Sequence, residues 1–156
     1  MLKVTNYTKM KKVLFFSDTT TWVVPSGVDY CTARICGGGG GGGNNGGAAS
    51  GADSTVSCGD GTFSGVGGDA VYIMFLGNWG LCRSGRESSG QSAFFVGGAS
   101  APSYAGMVPA AVNEFGINLI PGETVTITVG AGGGQGGLIT GTANGGSGFV
   151  NIEYWI

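Results

Sequence analysis

The sequence predicts an all-β domain, a β-sandwich or jelly roll, and three observations carry that expectation. Short runs of β-branched and aromatic residues recur along the chain and stop at turns rich in Gly, Pro, Ser or Asn. No apolar pattern at helical spacing lasts for more than a turn. Glycine supplies 35 of the 156 residues, and it is gathered into runs between the strands, without the G-X-Y period or the proline of collagen.

The elements follow in order. Val13–Phe16 is an apolar β run. Thr19–Val24 (TTTWVV) is β-branched and aromatic, and Pro25-Ser26-Gly27 ends it with turn chemistry. Val28–Ile35 roughly alternates polar and apolar positions. Val71–Leu76 (VYIMFL) is continuously apolar and reads as a strand buried on both faces. Ala93–Val96 is a short β run. Pro109–Phe115 (PAAVNEF) is the single helix candidate, and a short one. Ile117–Ile120 alternates and meets the turn pair Pro121-Gly122. Glu123–Val129 (ETVTITV) alternates strictly, with Val125, Ile127 and Val129 on one face. Phe149–Ile156 closes the chain as a last strand. Between these lie the glycine segments 37–51, 65–68, 130–137 and 145–148.

An interior glycine costs roughly 0.5–1 kcal/mol relative to alanine, so seven in a row demand an explanation. Either the segments are solvated linkers, or they are extended left-handed helices of three residues per turn. Such helices have no internal hydrogen bonds and approach one another only without side chains. Recurrence of the runs after separate strands favours packed helices. The packing positions are then Gly37, Gly38, Gly39, Gly40, Gly41, Gly42 and Gly43, with Gly132, Gly133, Gly134, Gly136, Gly137, Gly145 and Gly146 facing them.

Composition narrows the function classes. Charged residues are 10 % of the chain and the net charge is −2, which gives no basis for nucleic-acid binding. So sparse a charge predicts poor solubility alone and therefore a permanent assembly. The longest apolar run is too short to cross a bilayer, so no membrane insertion is expected. The N-terminus shows no apolar stretch ahead of a small-residue cleavage site, which predicts synthesis and assembly in the cytoplasm. Cys31, Cys36, Cys58 and Cys82 form no CxxC pair, and histidine is absent. A zinc site has no support, and buried free thiols are the expected state. Without histidine there is no Ser-His-Asp or Cys-His machinery. Asp53, Asp60 and Asp69 lack the close acidic spacing of a calcium loop, and no metal or other cofactor is expected. Gly132–Gly137 formally fits GxGxxG after a strand, but LITGTANGG follows it where a dinucleotide site needs a helix. The expectation is a protein that does no chemistry.

Three blocks carry a resemblance: Trp22–Val28 (WVVPSGV), Pro121–Gly133 (PGETVTITVGAGG) and Gly145–Val150 (GGSGFV). Their order, with a glycine run between the first two, resembles the glycine-rich domain of bacteriophage tail-fibre and receptor-binding proteins. Similar glycine-rich layers occur in the extracellular part of certain animal receptor kinases. The resemblance implies a β-sandwich with packed polyglycine helices and loops that touch a host surface. It further implies a virion location, partners among other fibre or tail subunits, and a homo-oligomer such as a trimer. A host surface protein or glycan would be the target.

The chain departs from that pattern at both its start and its middle. Residues 1–12 form an extra stretch, read as an attachment arm or as a solvated lysine-bearing edge. The remainder, 13–156, reads as one domain with an aromatic-rich insert at about 69–116. Within the insert, Asn78 and Trp79 (GNWG) and Tyr104 (SAPSYAG) occupy turn-like contexts. With Arg83 and Arg86 they are the candidate receptor contacts, since aromatic and Arg side chains dominate binding hot spots. Packing of Trp79 over the sheet, and plain solvation of the arginines, stay open as alternatives. Two other roles are also open. One is a head-decoration or tail-assembly subunit; the other is a depolymerase that cuts surface polysaccharide with paired carboxylates.

Overall fold

The computed structural model describes residues 9–44, 49–69, 71–76, 79–84, 112–134 and 145–156, with the backbone alone considered for 42–44, 71–76 and 79–84. Among them the chain is all-β, without helices. The strands are β1 (Lys11–Phe16), β2 (Thr20–Val23), β3 (Tyr30–Cys36), β4 (Gly42–Asn44), β5 (Ser54–Cys58), β6 (Gly61–Gly65), β7 (Val71–Leu76), β8 (Trp79–Ser84), β9 (Asn113–Asn118), β10 (Thr124–Thr128) and β11 (Phe149–Trp155). Two four-stranded antiparallel sheets pack face to face, in the orders β1-β11-β3-β9 and β2-β10-β5-β6. A third sheet, β4-β7-β8, pairs β4 with β7 in parallel and β7 with β8 antiparallel.

Alternation along the strands sets the core. On β3, Cys31, Ala33 and Ile35 point inward; on β11, Val150, Ile152 and Tyr154 do so. Val56, Val125 and Ile127 oppose them from the second sheet. Each large aliphatic side chain so enclosed contributes about 1.5–3 kcal/mol. Both flanks of the sandwich are stapled by an aromatic pair that crosses between sheets: Trp22 with Tyr154, and Phe63 with Phe115, each with ring centroids 5.4 Å apart. Two glycines with positive φ close turns at one end. Gly27 (φ 82°) follows Pro25-Ser26, with the Val28 amide donating to the Pro25 carbonyl. Gly122 (φ 86°) follows Pro121, with the Glu123 amide donating to Ile120. A side chain at either position would be strained.

Several expectations shift in the structure. The short helix over Pro109–Phe115 is absent from its described part: Asn113, Glu114 and Phe115 open β9, paired with Ile35, Arg34 and Ala33. Cross-strand pairing and the Phe63 contact outweigh the weak local helix preference. The strand placed at Ile117–Ile120 accordingly lies earlier and ends at Asn118; Leu119 follows it with its amide donating to Asp29, and Ile120 opens the turn. Strands β4, β5, β6 and β8 are additional to the sequence reading, and Trp79, read in a turn-like context, opens β8 because that segment pairs with β7. Ala93–Val96 lies outside the described residues. Of the stretch 1–12, residues 1–8 also lie outside; Met10 exchanges backbone hydrogen bonds with Ile156, and Lys11 and Lys12 pair with β11.

Cys31, Cys36 and Cys58 are reduced thiols, joined in no disulfide. Cys31 faces the core, while Cys36, five positions on, is buried on the opposite face of the sheet.

Candidate functional site

The two sheets determine where every glycine segment starts. Cys36 at the end of β3 pairs with Phe149 at the start of β11. Thr128 near the end of β10 pairs with Thr55, and Ser54 at the start of β5 pairs with Gly65 at the end of β6. Segments 37–41, 49–53, 66–69, 129–134 and 145–148 therefore leave or enter the sandwich at one end. Asn113, where the chain returns from the insert, pairs with Ile35 at that same end. Turns 25–28, 59–60 and 120–123, together with Met10 and Ile156, occupy the opposite end.

At the glycine end the segments bond backbone to backbone, and the bonds recur every third residue. Amides of Gly38 and Gly41 donate to the carbonyls of Ala52 (2.8 Å) and Ala49 (2.9 Å). Amides of Ala52 and Ala49 in turn donate to Ala131 (2.9 Å) and Gly134 (3.0 Å). Amides of Gly148 and Gly145 donate to Gly130 and Gly133, both at 2.8 Å. Single bonds complete the network: Gly39 to Gly146, Gly133 to Gly39, Gly51 to Gly68 and Gly68 to Gly38. Segment 37–41 is the hub, bonded to all four others, and each of its five glycines is buried. The amides of Gly38, Gly39 and Gly41 and the carbonyls of Gly38 and Gly39, which a buried irregular segment would otherwise orphan, are satisfied this way.

The geometry explains the absence of side chains. A Cβ built on Gly38 or Gly41 would fall on the carbonyl oxygen of Ala131 or Gly134. One on Gly133 would fall on Ala49, and one on Gly132 on Gly145. One on Gly145 would fall on Gly39, and one on Gly51 on Gly38. Where a residue faces outward the rule relaxes: Ala49, Ala52 and Ala131 are exposed, and Gly134 has open space around its missing Cβ. Along 131–134 the positions run open, closed, closed, open, a period of three.

Ser54 locks this layer to the sandwich. Fully buried, its hydroxyl donates to the Cys36 carbonyl (2.7 Å) and accepts from the Gly130 amide (2.9 Å). It thereby joins the exits of β3 and β10 to the start of β5. Next to it, Asp53 accepts the Gly67 amide at 2.8 Å. Asp60 accepts from the Asn118 backbone amide at 3.0 Å, and Asp69 is also engaged. Among the described residues no three His, Cys, Asp or Glu side chains converge as a metal site would require.

The sequence-predicted positions divide as follows. Gly37, Gly38, Gly39, Gly40 and Gly41 lie in the layer, with Gly132, Gly133, Gly134, Gly145 and Gly146. Gly42 and Gly43 instead begin β4, paired with Val71 and Tyr72. Gly136 and Gly137 lie outside the described residues. Trp79 and Arg83 sit on β8, paired with Leu76 and Tyr72. Asn78, Arg86 and Tyr104 lie outside the described residues. Missed from sequence were Ala49, Ala52 and Ala131 as members of the hydrogen-bonded network, and Ser54 as its anchor. Their signal is the three-residue spacing of Ala49 with Ala52 and of Ala131 with Gly134.

No protein-family model, curated protein or solved structure matches this chain.

Proposed function

We propose that this chain is a structural protein of a bacteriophage virion, a tail-fibre tip or other receptor-binding adhesin, and that it acts by binding alone. The observation that carries the reading is the one-ended glycine layer. It is anchored on the sandwich at Ser54 and bonded at three-residue intervals. In this reading the five segments are polyproline II-type helices, laid side by side as a stiff platform. In the same reading the sandwich beneath them is an eight-stranded jelly roll, which the neighbours β1 beside β11 and β2 beside β10 support. Segment 37–41 runs directly into β4, and segment 66–69 leads to β7, so the platform leads to the β4-β7-β8 sheet. That sheet carries Trp79 and Arg83. A rigid support under variable loops is the usual way to present a binding surface, and repetition by symmetry in the virion converts weak contacts into avidity.

The opposite end of the sandwich would face other virion subunits, assembled in the host cytoplasm. A bacterial surface protein or glycan would be the target of the distal end. The test is binding of the fluorescently labelled chain to a panel of bacterial strains, followed by phage adsorption to any strain it coats. Saturable coating that blocks adsorption is expected, with Trp79→Ala and Arg83→Ala reducing it at least tenfold. Absence of coating on every strain, or release of reducing sugar from surface polysaccharide, would overturn the reading.

A further inference from the structure

The two outer faces of the sandwich differ in chemistry. On β2-β10-β5-β6 the outward row is Thr21, Thr126, Ser57 and Thr62, one from each strand in register. Such short hydroxyl side chains suit permanent contact with water. The outer face of β1-β11-β3-β9 carries large side chains. Trp155 and Tyr30 are 54 % and 51 % exposed, Phe15 is 57 % and Val13 54 %. Register places Trp155 between Lys11 and the Tyr30 position, Glu153 beside Val13, and Asn151 beside Phe15. Phe15 also stacks on Phe149 at 5.6 Å.

An ion-pair chain runs across this apolar frame. Lys11 pairs with Glu153 (2.6 Å), Glu153 with Arg34 (2.8 Å) and Arg34 with Glu114 (2.7 Å). The hydrogen bond from Lys11, helped by Arg34, holds the Glu153 carboxyl below its usual range. Hydrogen bonds to Glu114 and then Glu153 push the Arg34 guanidinium above its ordinary value. The signs therefore read plus, minus, plus, minus from β1 to β9. Reversing that row end for end gives its own complement.

We infer that the outer face of β1-β11-β3-β9 docks a second copy of this chain. The dimer axis is a two-fold that lies between the faces and crosses the ion-pair row at right angles. Lys11 of one copy then meets Glu114 of the other, and Glu153 meets Arg34. A two-fold along the row, or one through any single charge of it, would instead set like charges against each other. The exposed Trp, Tyr and Phe supply the desolvated contacts that dominate such interfaces, and an isologous contact closes at two copies. This inference concerns the face of the sandwich and stands whether or not the distal end binds a host.

Charge swapping tests it with the full chain by sedimentation equilibrium. Native protein is expected to be dimeric at micromolar concentration. In a Lys11→Glu homodimer the introduced carboxylate would oppose Glu114 at both ends of the row. In a Glu114→Lys homodimer the introduced ammonium would oppose Lys11 at both ends. Each variant alone should therefore weaken dimerisation at least tenfold. An equimolar mixture should recover it, because the mixed dimer faces opposite charges at both ends. Trp155→Ser should also weaken dimerisation, and Thr126→Glu on the hydroxyl face should leave it unchanged. Circular dichroism of each variant separates lost folding from lost docking. A monomer, a trimer, or a mixture that stays monomeric would overturn the inference.

Discussion

Gly133→Ala is expected to lower the stability of the domain by about 3 kcal/mol or more, while Gly134→Ala, one residue on, is expected to leave it unchanged or raise it. At position 133 the new methyl falls on the Ala49 carbonyl oxygen and crowds the Gly41 amide nitrogen. No rotamer relieves this, because a Cβ has none and its neighbours are backbone. Overpacking of this kind costs about 1–3 kcal/mol. Displacing the segment also disturbs the bonds from Gly133 to Gly39 and from Gly145 to Gly133, each worth about 1 kcal/mol. At position 134 nothing lies within 4 Å of the added carbon. There the methyl mainly restricts the unfolded chain, a gain of about 0.4–1 kcal/mol. Urea unfolding of both variants checks the contrast. Equal effects at the two positions would mean that the three-residue period has no energetic content.

The second large effect is a loss of stability at alkaline pH that depends on one thiol. Burial in the core, aided by the neighbouring Cys58 and Glu123, pushes the Cys31 thiol from 9.0 up to about 12. Below pH 9 both folded and unfolded chains hold this proton, and the favourable burial is present in full. Between pH 9 and 12 the unfolded chain has lost the proton while the folded chain keeps it. The unfolded state then binds fewer protons, so stability falls as pH rises, by about 1.4 kcal/mol per pH unit. The total approaches about 4 kcal/mol near pH 12. Cys31→Ala should remove this contribution and leave whatever tyrosines and lysines add in both chains. Urea midpoints of native protein and variant, compared at pH 7.5 and 10.5, provide the check. Parallel decline of the two would show that the Cys31 thiol is not shielded.

What could be read from the chain beforehand follows from how much local signal each element carries. ETVTITV alternates so strictly that β10 was legible almost to the residue, and the continuous apolar run VYIMFL marked β7 at both ends. Strands β5 (STVSC) and β6 (GTFSG) were not legible: small hydroxyl, thiol and glycine residues resemble loop, and only pairing with β10 makes them a sheet. The opening of β9 looked helical because Ala-Ala-Val-Asn-Glu has local helix preference, which long-range pairing with β3 overrides. A strand of Gly42, Gly43 and Asn44 has no β propensity at all; it exists through its partner β7. The expectation that the glycine segments pack rested on their placement after strands. Which segment lies at the hub of the backbone bonds could not be read, because that depends on how the strands order themselves within two sheets. Nor could Ser54 be singled out, since its role is defined by the convergence of Cys36 and Gly130 from distant parts of the chain.

The central claim is that segments without side chains form one hydrogen-bonded layer, and residue-resolved amide hydrogen exchange addresses it most directly. The amides of Gly38, Gly39, Gly41, Gly51 and Gly133, all donors to neighbouring segments, are expected to exchange as slowly as those of β3 and β11 in the sandwich. Exchange of these five at the rate of an unstructured peptide, with β3 and β11 still protected, would contradict it.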